Sequence, residues 1–380
     1  MEVLDSNRIT EGVKVAKFES LFSRYLGVKE TVLVNSGTSA LITGLNALGH
    51  LKPSVRPGIN IITTPLTYIA TTNAITLSGF KPSFVDVDLK TFNITPKSIE
   101  AHLESIDDPT DHFAILPVHL MGYPADMDGI NRIAREHDFA VLEDSAQAHG
   151  SLYKKRKCGS MSEASAFSFY IAHNIQVGEM GALSTNDEDI AAFARRFKAN
   201  GRMCDCKICT RSKGTCPQLK MEGGLDPRFH HIHRGYNFKA TDIMASIGIE
   251  QLRKAEEIKE RRYRNVQYLN EGLGFLQDEL QLPALSGDVS YFAYPLIVKN
   301  SNMPREKVTR QLEERGVETR PLFGCIPLHQ PAYSSYQPYY RDKLPNAEYL
   351  GSKGFYIGCH QYLEEEHLNY IVNIFKEIRW

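Results

Sequence analysis

The sequence predicts an α/β fold, a mainly parallel sheet covered on both faces by helices, with a smaller C-terminal α+β lobe after it. Two observations carry this expectation. Short apolar β runs alternate with amphipathic helical stretches through the first half of the chain, and a long helical stretch near residue 250 leads into a region with its own β run and helices. At 380 residues and 42% hydrophobic content, the chain has enough apolar surface to build two lobes. Residues 1–250 are expected to form the large domain, carrying a cysteine-rich loop at 204–216. Residues 251–380 are expected to form a bridging helix and the small domain.

Taken in order, ETVLVNSGTSALITGLNAL reads as strand, turn and helix, and INIITTPLTYIATTNAITLSG repeats that unit. Further β runs lie at KPSFVDVD, FAILPVHL and FAVLEDSAQ, with helical stretches such as DMDGINRIAREH between them. Ligands of such a sheet sit at the carboxyl ends of its strands. TDIMASIGIEQLRKAEEIKERRYRNVQYLNEGL reads as one long bridge. Beyond it come the β run YFAYPLIVKN and the helices PREKVTRQLEERG and EEEHLNYIVNIFKEIR.

Charges nearly cancel, with 44 Lys and Arg against 45 Asp and Glu. No basic block is dense enough to neutralise a run of phosphates, so nucleic acid is not an expected partner. The run YKKRK at 153–157 reads as a solvated turn. No apolar stretch reaches the roughly 18–20 residues of a membrane span, and the N-terminal segment lacks the apolar core of a signal peptide. A soluble, cytoplasmic protein without membrane contact is expected. Seven cysteines in a reducing compartment do not read as a disulfide framework. Cys204, Cys206, Cys209 and Cys216 crowd one loop, whereas Cys158, Cys325 and Cys359 are scattered and read as small buried hydrophobes.

Several residues point to a bound phosphate and a flat ring. NSGTSA at 35–40 lies between a strand and a helix start, so the amides of Gly37, Thr38 and Ser39 can face an anion with the helix dipole behind them. Helix capping by Ser36 or Thr38 is the plainer alternative. Asp144 closes the β run FAVLED and can pair with a protonated pyridine nitrogen at the sheet edge, or cap a helix. Tyr68, after ITTPLT, can stack on a ring or belong to the core. Ser168 offers a second hydroxyl for the phosphate, or a buried backbone contact.

In chain order the motifs FESLFSRYLGV, NSGTSAL, PLTYIAT, FVDVD, HLMGYPADMD, LEDSAQAHGS, SFSFYIAHN, GEMGALSTND, GYNFKATDIMASIGIEQL, ETRPLF and PLHQPAY span nearly the whole chain. Together they resemble the DegT/DnrJ/EryC1/StrS family of vitamin B6-dependent sugar aminotransferases. The resemblance implies the fold type I aspartate aminotransferase architecture, with residues 1–250 as the cofactor-binding domain, and a homodimer with shared active sites. It implies that Gly37, Thr38 and Ser168 hold the cofactor phosphate, Tyr68 stacks, Asp144 meets the ring nitrogen and Gln147 lies near the ring hydroxyl. Asn237 would reach the phosphate in the neighbouring subunit. Arg320, His329 and His360 are suggested ligands from the C-terminal lobe. The family has a further helix ahead of RITEGVKVAKFES, so part of the substrate or dimer surface is expected to be absent or rebuilt.

The segment SAFSFYIAHNIQVGEMG departs from the family at one residue. His173 stands where the family has the lysine that bonds the cofactor aldehyde, and imidazole cannot form that imine. Lys157 and Lys198, the nearest lysines in sequence, lie outside the motif. Histidine can instead accept and return a proton near neutral pH. In this position it resembles the nucleotide-sugar 3-dehydratases, which remove the C3 hydroxyl of a nucleotide-linked 4-keto-6-deoxyhexose using pyridoxamine phosphate (PMP). The stretch near NAEYL and GFYIGCHQ is similar to that subgroup too. An inactivated relative and an engineered lysine replacement are the competing accounts.

The cysteine loop, with the spacing C-x-C-x2-C-x6-C, suits a thiolate metal site. It resembles the loop of the iron–sulfur 3-dehydrases, in which a reductase or ferredoxin supplies single electrons. Those enzymes take one ligand from a segment where this chain has Ala146. Cys209 is expected to replace it, with either a two-iron or a four-iron cluster. Zinc, with His230, His231 and His233 nearby in sequence, and free thiols are the alternatives. Three functions follow: an iron–sulfur 3-dehydrase, a cluster-free dehydratase that regenerates PMP from glutamate, and a non-catalytic protein that binds sugar nucleotides.

Overall fold

The structure is a computed structural model that describes residues 2–6, 9–53, 55–210, 215–216, 226 and 229–380. The seven strands of the large sheet are β1 (Glu30–Val34), β2 (Asn60–Thr63), β3 (Lys81–Phe84), β4 (His112–Leu116), β5 (Ala140–Asp144), β8 (Ala164–Ser168) and β9 (Gly181–Thr185). A two-stranded hairpin, β6 (Leu152–Tyr153) and β7 (Arg156–Lys157), stands apart from it. The sheet order is β1-β9-β8-β5-β4-β2-β3. From β8 to β3 every neighbouring pair is parallel, and β9 runs antiparallel to both β1 and β8. The expected parallel sheet therefore carries one reversed strand. Alternation of β runs and helices does not reveal it, because β8 and β9 are joined by the turn that carries His173 and not by a helix.

The edge strand β1 and the inner strands β4, β5, β8 and β9 are buried along almost their whole length, as expected of a sheet covered on both faces. Helices cover the sheet, including α3 (Gly37–Leu51), α4 (Ala70–Leu77), α6 (Met127–Glu136) and α7 (Glu188–Phe197). The α6 helix repeats its buried Met127, Ile130, Ile133 and Ala134 at three- and four-residue spacing, and the Asp126 side chain caps its first turn.

The expected single bridging helix is broken at Lys254 into α8 (Asp242–Arg253) and α9 (Ala255–Leu273). No proline or glycine marks the break. Lys254 leaves helical geometry at φ −95°, ψ 1°, because α8 packs on the N-terminal helix α2 (Val13–Leu26) while α9 packs on the last helix, Glu365–Glu377. The C-terminal sheet, in the order β10 (Leu280–Gln281), β11 (Tyr294–Val298), β13 (Gly354–Ile357) and β12 (Thr319–Pro321), is antiparallel throughout. One apolar core runs continuously from the large sheet into this lobe. Among the described residues, no helix is long and apolar enough to cross a membrane.

Candidate active site

Parallel strands end on one edge, and four of those ends bring the expected residues together. At the end of β1, Ser36 caps α3. Its Oγ accepts from Ser39 N at 3.1 Å, and its carbonyl accepts from Ala40 N at 3.0 Å. Ser39 is buried and its amide is thereby engaged, which leaves the Gly37 and Thr38 amides to face an anion. Gly37 sits directly against the end of β8, where an added Cβ would lie 2.5 Å from Ser168 Cβ. Glycine is required here by that approach.

Asp144, at the end of β5, is buried. Its Oδ2 accepts from Thr71 Oγ1 at 2.8 Å and its Oδ1 from Ala146 N at 3.2 Å. Burial pushes its carboxyl up, with those two hydrogen bonds pulling against it. Tyr68, three residues before Thr71 and 61% exposed, has a face open to a ring and meets Phe323 edge-on at 6.2 Å. Close by, Ile326 N donates to Pro65 O at 2.8 Å, so the C-terminal lobe docks beside this tyrosine. Gln147 Oε1 accepts from Met121 N at 2.8 Å, which holds the loop after β4 in place.

His173 lies in the turn between β8 and β9, its amide bonded to Tyr170 O at 2.9 Å. Its Nδ1 is buried without a partner among the described residues. Burial first, then the Arg262 guanidinium, pushes this imidazole down from 6.5 to about 3, so it is neutral in the unliganded pocket. The two nearest lysines in sequence, expected to lie outside the site, are engaged elsewhere. Lys157 Nζ donates to Tyr25 O at 2.6 Å and lies 3.6 Å from the centre of the Tyr25 ring. Lys198 is buried against Glu11, donates to Leu33 O at 2.8 Å and lies 3.6 Å from Glu19.

A cavity of about 690 Å³ opens beside the turn, between Ile171 and Ala172 on one side and Arg320, Tyr356 and His360 of the C-terminal lobe on the other. His329 does not share it. The Nδ1 of His329 accepts from Cys325 N at 3.2 Å, and its ring lines a separate cavity. Asn237 is exposed, in a segment held to the end of α7 by Phe238 N donating to Lys198 O at 3.0 Å.

The four loop cysteines line a different cavity of about 210 Å³, with Arg195, Lys198, Arg202 and Lys239 around them. The expected metal centre is not formed in this arrangement: among the described residues, no group of three or more His, Cys, Asp or Glu is placed to hold a metal ion. Residues 211–214, between Cys209 and Cys216, lie outside the described ones. Burial pushes the Cys204 and Cys206 thiols up, with Arg202 pulling Cys204 the other way. His231 is bonded at 2.8 Å to Asn200 O, and His233 packs against His50 and Phe193. Cys158, Cys325 and Cys359 are fully buried, as expected of small hydrophobes.

The model for the DegT/DnrJ/EryC1/StrS aminotransferase family matches residues 1–376. The chain belongs to that family. It is 32% identical to the dTDP-4-dehydro-2,6-dideoxy-D-glucose 3-dehydratase of Saccharopolyspora spinosa, over 97% of this chain and 81% of the relative. Its identity to the GDP-perosamine synthase of Caulobacter vibrioides is 33%, over 98% of this chain and 92% of the relative. Among solved structures, the E. coli GDP-4-keto-6-deoxy-D-mannose-3-dehydratase with bound hydrated PLP superposes with a TM-score of 0.83 at 27% identity, covering 98% of this chain and 94% of that one. The fold is that of the PLP-dependent aminotransferases, and the chain belongs among sugar aminotransferases and dehydratases.

The residues present fit a vitamin B6 cofactor of this family. The Gly37–Ser168 cradle would be filled by any Cβ, the two α3 amides suit a phosphate, and a buried carboxylate stands ready for a cationic ring nitrogen. Sequence reasoning missed three contributors: Thr71, which steadies Asp144; Arg262; and His149. Each lies far in sequence from what it touches; PLTYIAT contains Thr71 and LEDSAQAHGS contains His149, but neither motif shows what those side chains meet.

Proposed function

We propose that the chain is a PMP-dependent 3-dehydratase that removes the C3 hydroxyl of a nucleotide-linked 4-keto-6-deoxyhexose, with His173 as its acid–base group. The observation that carries this reading is the side chain at 173. An imidazole with an orphaned nitrogen stands where the family has a lysine, and Lys157 and Lys198 are engaged elsewhere. Bound PMP would supply an amine to condense with the C4 ketone and a ring to take up electrons.

The chain's own residues do the rest. Gly37, Thr38 and Ser168 hold the phosphate, with Ser39 fixing the helix start, and Tyr68 covers the ring. Asp144 keeps the ring nitrogen protonated, and Gln147 orients the ring hydroxyl. His173 takes a proton at the C4′ carbon and returns it as the C3 hydroxyl leaves. An anionic ligand in the pocket raises His173 back toward neutrality, which restores its strength as a base. Arg320 and His360 provide donors for the diphosphate of the nucleotide in the 690 Å³ cavity. The reading includes a homodimer in which exposed Asn237 reaches the neighbouring site, and a cytoplasmic setting.

It also includes an iron–sulfur cluster on Cys204, Cys206, Cys209 and Cys216, with zinc as the other candidate and a reductase or ferredoxin as electron donor. Four thiols on one cavity with a basic wall support this. Among the described residues the thiols are not in a ligating arrangement.

The test supplies PMP and CDP-, dTDP-, GDP- or UDP-linked 4-keto-6-deoxyhexose to anaerobically purified protein and follows water loss from C3 by mass spectrometry. Turnover in wild type, with His173→Asn reduced by at least about 10²-fold, is expected. Cofactor bonded to a side chain after borohydride treatment, or no dehydration of any of the four substrates, overturns the reading. Iron and sulfide analysis of the same sample separates cluster from zinc. Glutamate-dependent turnover without a reductase would mark the cluster-free enzyme.

A further inference from the structure

His149 takes no part in the chemistry described so far. It lies in the turn after β5, two residues beyond Gln147, and is 2% exposed. Neither ring nitrogen has a partner among the described residues, and Nδ1 of His173 shares that condition. The two rings lie 6.1 Å apart between centroids, tilted by 59°. Aromatic rings make up the rest of the nest, with Phe22 at 6.5 Å, Phe167 at 5.5 Å and Phe169 at 5.3 Å.

Phenylalanine would fill such a nest as well, whereas an unpartnered buried imidazole costs about 1–3 kcal/mol. Packing therefore does not account for a histidine at 149. Three orphaned nitrogens across a gap of this size suit a bridging water, which needs two or more polar partners. The buried, unpartnered nitrogen of His173 is Nδ1. His173 from the turn after β8 and Arg262 from α9 act on His149, and Tyr25 from α2 and Lys259 from α9 lie beside the neighbouring Gly150. Burial first, then His173 and Arg262, holds His149 well below the usual histidine range, so the resting pair is neutral.

We propose that His149 is a positioning residue for His173: through a bridging water it sets which nitrogen of His173 faces the reacting carbon and shares the proton that His173 takes up. The inference rests on the dehydratase reading. A proton leaves the C4′ carbon for Nε2 of His173, and the Nδ1 proton passes through water to His149. The Nδ1 proton then returns from His149 through the water, and the Nε2 proton passes to the departing C3 hydroxyl, which leaves as water, so both histidines end as they began.

The test has two arms. In the first, the full chain without cofactor is labelled with ¹⁵N at histidine and titrated by NMR. His149 and His173 are expected to titrate as a coupled pair. His149→Phe removes an acceptor for the His173 proton and is expected to lower the His173 midpoint and to change its tautomer, while His149→Gln retains the wild-type tautomer. The second arm measures the PMP-loaded enzyme, where His149→Phe lowers kcat about tenfold with KM within about twofold, and His149→Gln recovers most of the loss. Unchanged His173 titration and tautomer in folded His149→Phe overturns the proposal, and so does unchanged kcat. If His149→Phe does not fold, His149→Leu makes the same comparison. Failure of the dehydratase reading shows separately, as wild type that loses no water from any substrate while the NMR coupling persists.

Discussion

At Asp144 two effects oppose each other. Burial favours the neutral carboxyl, while the hydroxyl of Thr71 and the amide of Ala146 favour the carboxylate that a pyridinium nitrogen requires. Thr71→Val removes one of these donors with little change in volume. Cofactor affinity is expected to fall about five- to tenfold, measured by absorbance titration with PLP, while the thermal midpoint moves by only a few degrees. Equal affinity in the two proteins would show that Thr71 does not support the carboxylate. The residues of the candidate site that were legible in the sequence are those whose chemistry is written in a short motif: Gly37, Asp144, Ser168 and His173. Thr71 and Arg262 were not, because a hydroxyl on a helix and an arginine on a long charged helix look like many others until the fold brings them to their partners.

Among the elements, α3 and β8 are joined through a glycine. An added Cβ at Gly37 meets Ser168 Cβ at 2.5 Å, well inside van der Waals contact, and both residues belong to the proposed phosphate cradle. Gly37→Ala is therefore expected to cost about 1–3 kcal/mol in urea unfolding and to weaken PLP binding by more than tenfold. A variant that binds PLP as tightly as wild type would remove this cradle from the site. Strands and helices were readable where their periodicity is strong, as in α6. The reversed strand β9 and the break at Lys254 were not. Neither has a local signal, since β9 is a short buried run whose residues do not record its direction and Lys254 is an ordinary helix residue turned out of line by two different packing partners.

Across the whole molecule, histidines held below their ordinary range contribute to the response to acid. Burial lowers His173 to about 3 and His112 to about 4, the latter aided by His102. An unfolded chain takes up these protons near pH 6.5, and the folded chain does not. Stability is thus fully present above about pH 6.5 and is lost as pH falls toward the folded values, by up to about 1.4 kcal/mol per unit for each group. The raised carboxyls of Glu19 and Asp144 act in the opposite sense, so the measurement compares variants. His112→Phe should lose less of its urea midpoint than wild type between pH 6.5 and 5, and equal losses would contradict the account.

The sequence by itself determined the α/β class, and it carried the motifs proposed for phosphate and ring and the histidine at 173, because each is a local pattern of residue types. Tertiary structure alone decided that His149 faces His173, that Lys198 is tied beneath the cysteine cavity and that Arg320 and His360 share a cavity which His329 does not. Those relations depend on which faces meet when the sheet, its reversed strand and the C-terminal lobe close around one apolar core, and spacing along the chain carries no record of that.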